Sequence, residues 1–174
     1  MLANLITQES IIGRGFYTTN CTGGIRNSAN SLIYPDNLTG SIHFNGQIIA
    51  GFHWDAMQIL QDFYGVEEGT LRMASTWHYG RELMAPSNQP DQVFATFLAD
   101  DDNGDISDGT PDYFAYCAAG VNHGIGIGIL GDRKFQRGSE VLGVPIHIVG
   151  EHGQISLIVG LPYSQVVAAA GQGA

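Results

Sequence analysis

From Asn45 onward the apolar residues Ile49, Phe52, Ala56, Leu60 and Phe63 recur at three- and four-residue spacing until Gly65. That period draws one apolar stripe along a helix, with Asn45 as its N-cap and glycine as its stop. A second helix is expected from Glu67 or Glu68 to about Met84, since two acids favour its positive end and Pro86 and Pro90 follow. A third is expected from Asp91 to Leu98, with Val93, Phe94, Phe97 and Leu98 facing inward. In the fourth, Thr110 caps, Pro111 takes the first helical position and Asp112 answers the dipole. Tyr113, Phe114, Tyr116, Cys117, Val121 and Asn122 then carry that helix to a stop at Gly124.

Past Arg137 the pattern changes. Val141, Val144, Ile146 and Ile148, then Ile155, Leu157, Ile158 and Val159, flank Gly150-Glu151-His152-Gly153 and predict a β-hairpin. The first forty residues carry turn formers in quick succession, among them Gly13, Gly15, Gly23-Gly24 and Tyr34-Pro35-Asp36-Asn37, and predict loop with at most a turn or two of helix. The expectation is a mainly α chain: a loop-rich front and helical subdomain over 1–137, then a β-hairpin extension and fraying tail over 138–174. Helices first and strands last do not fit a βαβ nucleotide-binding fold, and the glycines from Gly124 to Gly131 lack the context of a phosphate-cradling loop.

At 174 residues the chain is long enough to bury a real core. Seventeen acidic residues stand against seven basic ones, and Lys134 is the only lysine, so the surface field is negative and nucleic acid is not an expected partner. No apolar run approaches the roughly 20 residues that span a bilayer, and Met1–Ile12 lacks the pattern of a signal peptide. Cys21 and Cys117 are the only cysteines, which excludes a thiolate metal site and leaves one disulfide open.

His43 precedes the first long helix, and a ring N–H at such a junction can stabilise negative charge on a reacting oxygen. Arg26, upstream of a Tyr-Pro-Asp turn, offers a rigid fork of donors to a carbonyl or carboxylate. On residue type alone the reading as a surface histidine and a surface arginine outweighs the functional one at both positions. His53 and His78 lie among apolar helical neighbours and are expected to be packed or on the surface, while His123 beside Gly124 suits a helix C-terminus.

An ordered succession changes the weight of these residues. Gly13 to Tyr17, Gly24-Ile25-Arg26, Tyr34-Pro35-Asp36, Gly40-x-x-His43-x-x-Gly46-x-Ile48, Trp54-Asp55, Gly109-Thr110-Pro111-Asp112-Tyr113 and His123-Gly124-Ile125 resemble the C-terminal half of a thermolysin-like or fungalysin-like zinc metallopeptidase of the gluzincin group. The resemblance implies a secreted, extracellular peptidase in which His43 stabilises the tetrahedral transition state and Arg26 contacts the carbonyl of a peptide substrate. It also implies a zinc held by His-Glu-x-x-His and a later glutamate, and that motif is absent from this sequence. Where the family places an aspartate to orient the histidine, this chain has Leu38. The expectation is therefore half of an active site, inactive alone, with apolar faces that a missing N-terminal half or self-association would cover.

The segment Asp100–Asp112 supports a rival, non-catalytic reading. Asp101, Asn103, Asp105 and Asp112 fall at the first, third, fifth and twelfth positions of a calcium-loop register, though Ile106 stands where that loop wants glycine. A weak calcium site and a solvated, helix-capping loop are the alternatives.

Overall fold

The computed structural model describes residues 1–16 and 21–125, together with the backbone of 146–151 and 154–159. A short helix α1 (Leu2–Thr7) leads into β1 (Ile11–Ile12), which pairs antiparallel with β2 (Arg26–Asn27). Three helices then follow in close order: α2 (Ile42–Tyr64), α3 (Val66–Met84) and α4 (Gln89–Asp100). A 3₁₀ turn at Ile106–Asp108 precedes α5 (Tyr113–Asn122), and β3 (Ile146–Glu151) pairs antiparallel with β4 (Gln154–Val159). Mainly helical architecture and the late hairpin both match the periodicity. The strand residues Val141 and Val144, the glycines from 126 to 131, the 137/138 division and the tail lie outside the described residues.

Two helix starts differ from expectation. Ser41, not Asn45, caps α2, its Oγ accepting from the Phe44 N–H at 3.3 Å. Asn45 turns back instead, its Oδ1 accepting from the Thr39 N–H at 2.7 Å and its Nδ2 donating to the Thr39 carbonyl at 2.9 Å. The helix therefore begins four residues early and takes His43 into its first turn. At α5, Thr110 and Pro111 form a turn outside the helix and Asp112 stands at the N-cap without a side-chain capping bond, because its carboxylate is drawn elsewhere.

The core forms where α2, α3, α4 and α5 meet. Ile48, Phe52, Ala56, Met57 and Leu60 of α2 pack with Met73, Val93, Phe97, Phe114, Ala115, Tyr116 and Ala119. Each large side chain so buried contributes about 1.5–3 kcal/mol. The α2 stripe runs through Ile48, Phe52, Ala56 and Leu60 in steps of four, so Ile49 and Phe63 fall at its edges; Phe63 is half-exposed and leans on Phe114 at 5.0 Å between ring centroids. Helices α3 and α4 approach closely at Gly80, where a Cβ would stand 2.6 Å from the Ala95 carbonyl oxygen.

Candidate functional site

The two residues singled out by the resemblance lie on two elements that hydrogen bonds tie together, β2 and the amino-terminal part of α2. His43 sits exposed in the first turn of α2, and Arg26 sits exposed on β2. The strand is tied to the helix one turn beyond His43: the Asn27 N–H donates to Gln47 Oε1 at 3.4 Å, and Asn30 Nδ2 donates to the Gln47 carbonyl at 3.0 Å. Among the described residues neither side chain has an ion pair. Both heads are free for a third party, but no hydrogen bond joins them.

The chain on either side of His43 carries exposed apolar residues. Ile42 is 79% exposed, and Leu38 and Phe44 are exposed as well. Beside them a groove of about 460 Å³ runs between the amino end of α2 and the α3–α4 connection, lined by Tyr34, Leu38, Ile42, Ile49, Pro86 and Gln89 among others. This groove left no mark in the sequence, since its two walls lie some forty residues apart in the chain.

The acidic segment folds on itself. Asn103 Oδ1 accepts from the Asp105 N–H at 2.8 Å, Asp105 Oδ1 from the Ser107 N–H at 2.9 Å, and Asn103 Nδ2 donates to Asp108 Oδ2 at 3.0 Å. Asp112 does not join Asp101, Asn103 and Asp105. Its side chain is 1% exposed, with Oδ2 3.1 Å from Arg72 Nη1 and Oδ1 accepting from the Tyr64 hydroxyl at 2.8 Å. The Arg72 guanidinium also lies 4.2 Å over the Tyr64 ring and bonds Glu68 at 2.8 Å. Asp100 accepts from the Asp112 backbone N–H at 2.7 Å; burial, then the neighbouring Asp112 charge, raise its pKa to about 7. Among the described residues no three His, Cys, Asp or Glu side chains gather closely enough to hold a metal ion. With no His-Glu-x-x-His in the sequence either, the residues present do not fit the zinc that the resemblance implies.

A second polar cluster was only half visible beforehand. His123 ends α5, as its place beside Gly124 suggested, but its ring is buried, 1% exposed, and lies against Gly51 of α2. Nδ1 stands 2.8 Å from the Leu32 carbonyl oxygen, and Nε2 stands 3.3 Å from Asp55 Oδ2. The second contact sets ring against carboxylate, with an alignment that falls short of a hydrogen bond. Asn122 Nδ2 holds the same carboxylate oxygen at 3.1 Å. A cleft of about 420 Å³ lies alongside, lined by Asn30, Ser31, Ile33, Asp55, Val121, Asn122 and His123.

His53 is buried, and burial lowers its pKa to about 3, so it is a neutral core residue. His78 is exposed beside Glu82 at 3.9 Å. Cys21 and Cys117 are free thiols, and burial raises the Cys117 pKa to about 11, which leaves it unreactive. No helix among the described residues is long and apolar enough to cross a membrane. No protein-family model, curated protein or solved structure matches the chain.

Proposed function

We propose that this chain is the substrate-side, C-terminal portion of a zinc metallopeptidase, with His43 and Arg26 as donors to the oxygens of a peptide bond under attack. The observation that carries the reading is the exposed His43 in the first turn of a 23-residue helix, without an ion pair among the described residues and with exposed Leu38, Ile42 and Phe44 close to it in the chain. A helix of that length fixes the ring's backbone, so the donor is preorganised where negative charge develops. The positive end of the helix dipole adds to the same field. Arg26, on a strand pinned to α2 through Gln47, supplies a second donor.

The apolar rim supports a surface made to be covered. Ile42 and Leu38 are costly to leave in water, and a zinc-bearing segment docking there would bury them. The sequence carries no His-Glu-x-x-His, so on this reading peptide hydrolysis requires that segment.

The test is reconstitution. The chain, joined to or mixed with a gluzincin segment carrying His-Glu-x-x-His, is assayed for cleavage of a fluorogenic peptide. Activity that falls about 10²–10³-fold in kcat in His43→Ala, with correctly folded variant, is the expected result. Activity indifferent to both His43→Ala and Arg26→Ala would overturn the proposal, as would a chain that never associates with such a segment.

A further inference from the structure

We infer that Asn103 is a self-modifying position: the Gly104 backbone nitrogen attacks the Asn103 side-chain amide, and the residue passes through a cyclic imide to aspartate and isoaspartate. The step balances with water alone. A bond forms between the Gly104 nitrogen and Asn103 Cγ, the Cγ–Nδ2 bond breaks, and the amide nitrogen leaves as ammonia, taking up the proton that Gly104 gives up. Water then opens the ring. Opening at Cγ yields aspartate, and opening at the main-chain carbonyl yields isoaspartate, whose backbone runs through Cβ and Cγ.

The chain holds two Asn-Gly dipeptides, and the fold treats them differently. Asn45-Gly46 lies inside α2, where the glycine N–H belongs to the helical ladder. Both ends of the Asn45 amide are bound to the Thr39 backbone. Asn103-Gly104 lies instead in the exposed bend between α4 and the 3₁₀ turn. Among the described residues the Gly104 N–H has no hydrogen-bond partner, so the attacking nitrogen is free. The space around Gly104 is open, since an added Cβ would meet nothing within 4 Å. Its φ of 82° is one that glycine adopts without strain. The nearby Asp108-Gly109 shows the contrast: Gly109 is buried, and its N–H donates to the Ile106 carbonyl at 3.3 Å.

The groups around Asn103 bear on both the reaction and its product. The Asp105 N–H donates to Asn103 Oδ1 at 2.8 Å, the oxygen on which negative charge develops as Cγ becomes tetrahedral. Asn103 Nδ2 donates to Asp108 Oδ2 at 3.0 Å. In aspartate that donor is replaced by an oxygen, and two carboxylates face each other where a hydrogen bond stood. Either product adds a negative charge to a segment that already holds Asp100, Asp101, Asp102, Asp105 and Asp108. The bond that closes Asn103 on Asp108 is thus lost as the protein ages.

The experiment is incubation of the intact chain at mildly alkaline pH, folded and separately in urea. Peptide mapping by mass spectrometry follows the change from amide to acid, and enzymatic carboxyl methylation counts isoaspartate. In urea both dipeptides should convert at similar rates. In the folded chain Asn103 should convert at least about tenfold faster than Asn45, whose reaction waits on local opening of the helix. Isoaspartate should accumulate in the peptide that carries position 103. An Asn103 that stays an amide in the folded chain while it converts in urea, or positions 45 and 103 converting at one rate in the folded chain, would overturn the inference. The wild-type chain supplies every readout, so no variant has to fold.

Discussion

Gly51 and His123 share one space: the imidazole lies where a side chain at position 51 of α2 would have to stand, in contact with its Cε1. Glycine is disfavoured in a helix interior by roughly 0.5–1 kcal/mol relative to alanine, so its presence here is explained by the ring it admits. Gly51→Ala should reverse the usual sign and destabilise by about 1–3 kcal/mol, read from urea denaturation. Gly46→Ala, in the same helix with open space at its Cα, should stabilise by about 0.5–1 kcal/mol. Equal effects at the two positions would mean that the ring does not occupy that space.

The Arg72–Asp112 pair joins α3 to the start of α5, and the carboxylate is almost wholly desolvated. Removing its cation leaves a buried charge with one hydroxyl partner, the Tyr64 OH. Arg72→Met should cost about 3–5 kcal/mol. Adding Asp112→Asn to that variant removes the stranded charge and should recover a substantial part of the loss. A double variant no more stable than Arg72→Met would argue that packing, not charge, carries the pair.

These pairs mark the boundary of what the sequence discloses. Periodicity located α2 to α5 and the hairpin, because burial of one face repeats locally along the chain. The start of α2 was misplaced because Ser41 and Asn45 are both good caps, and the choice between them is made by Thr39, whose backbone engages Asn45. Asp112 fitted a calcium register by spacing, yet its partners lie 40 and 48 residues away at Arg72 and Tyr64, where no spacing rule reaches. His123 was legible as a helix end; Asp55, held by its neighbour Asn122 from 67 residues away, was not. The groove beside His43 is likewise a product of tertiary packing between α2 and the α3–α4 connection.

Two buried groups give stability opposite dependences on pH. Asp100, raised from 3.8 to about 7 by burial and by Asp112, binds a proton more tightly folded than unfolded. Its contribution is therefore greatest in acid and declines as pH rises between those values. His53, lowered from 6.5 to about 3 by burial, behaves in the other direction, contributing above its unfolded value and losing stability as pH falls toward 3. Asp100→Asn should flatten the fall in Tm between pH 4 and 7, and His53→Leu should extend the folded range in acid. Thermal melts across that range check both; Asp100→Asn with the wild-type slope would contradict the raised carboxylate.

The acidic loop allows a last distinction between an ion and a hydrogen-bond network as its organiser. Asp105 Oδ1 accepts from the Ser107 N–H at 2.9 Å and so caps the 3₁₀ turn, while Asn103 performs the same service for Asp105. Side-chain oxygens bound to backbone donors already have partners, and a calcium ion would have to share them. Asp112, the twelfth member of the register, is held by Arg72 and Tyr64. Asp105→Ala should then lower stability by about 0.5–2 kcal/mol, the usual worth of such a cap, and by the same amount in excess calcium and in chelator. A wild-type melting temperature that rises with added calcium, and a rise that Asp105→Ala abolishes, would instead make the loop an ion site built on Asp101, Asn103 and Asp105.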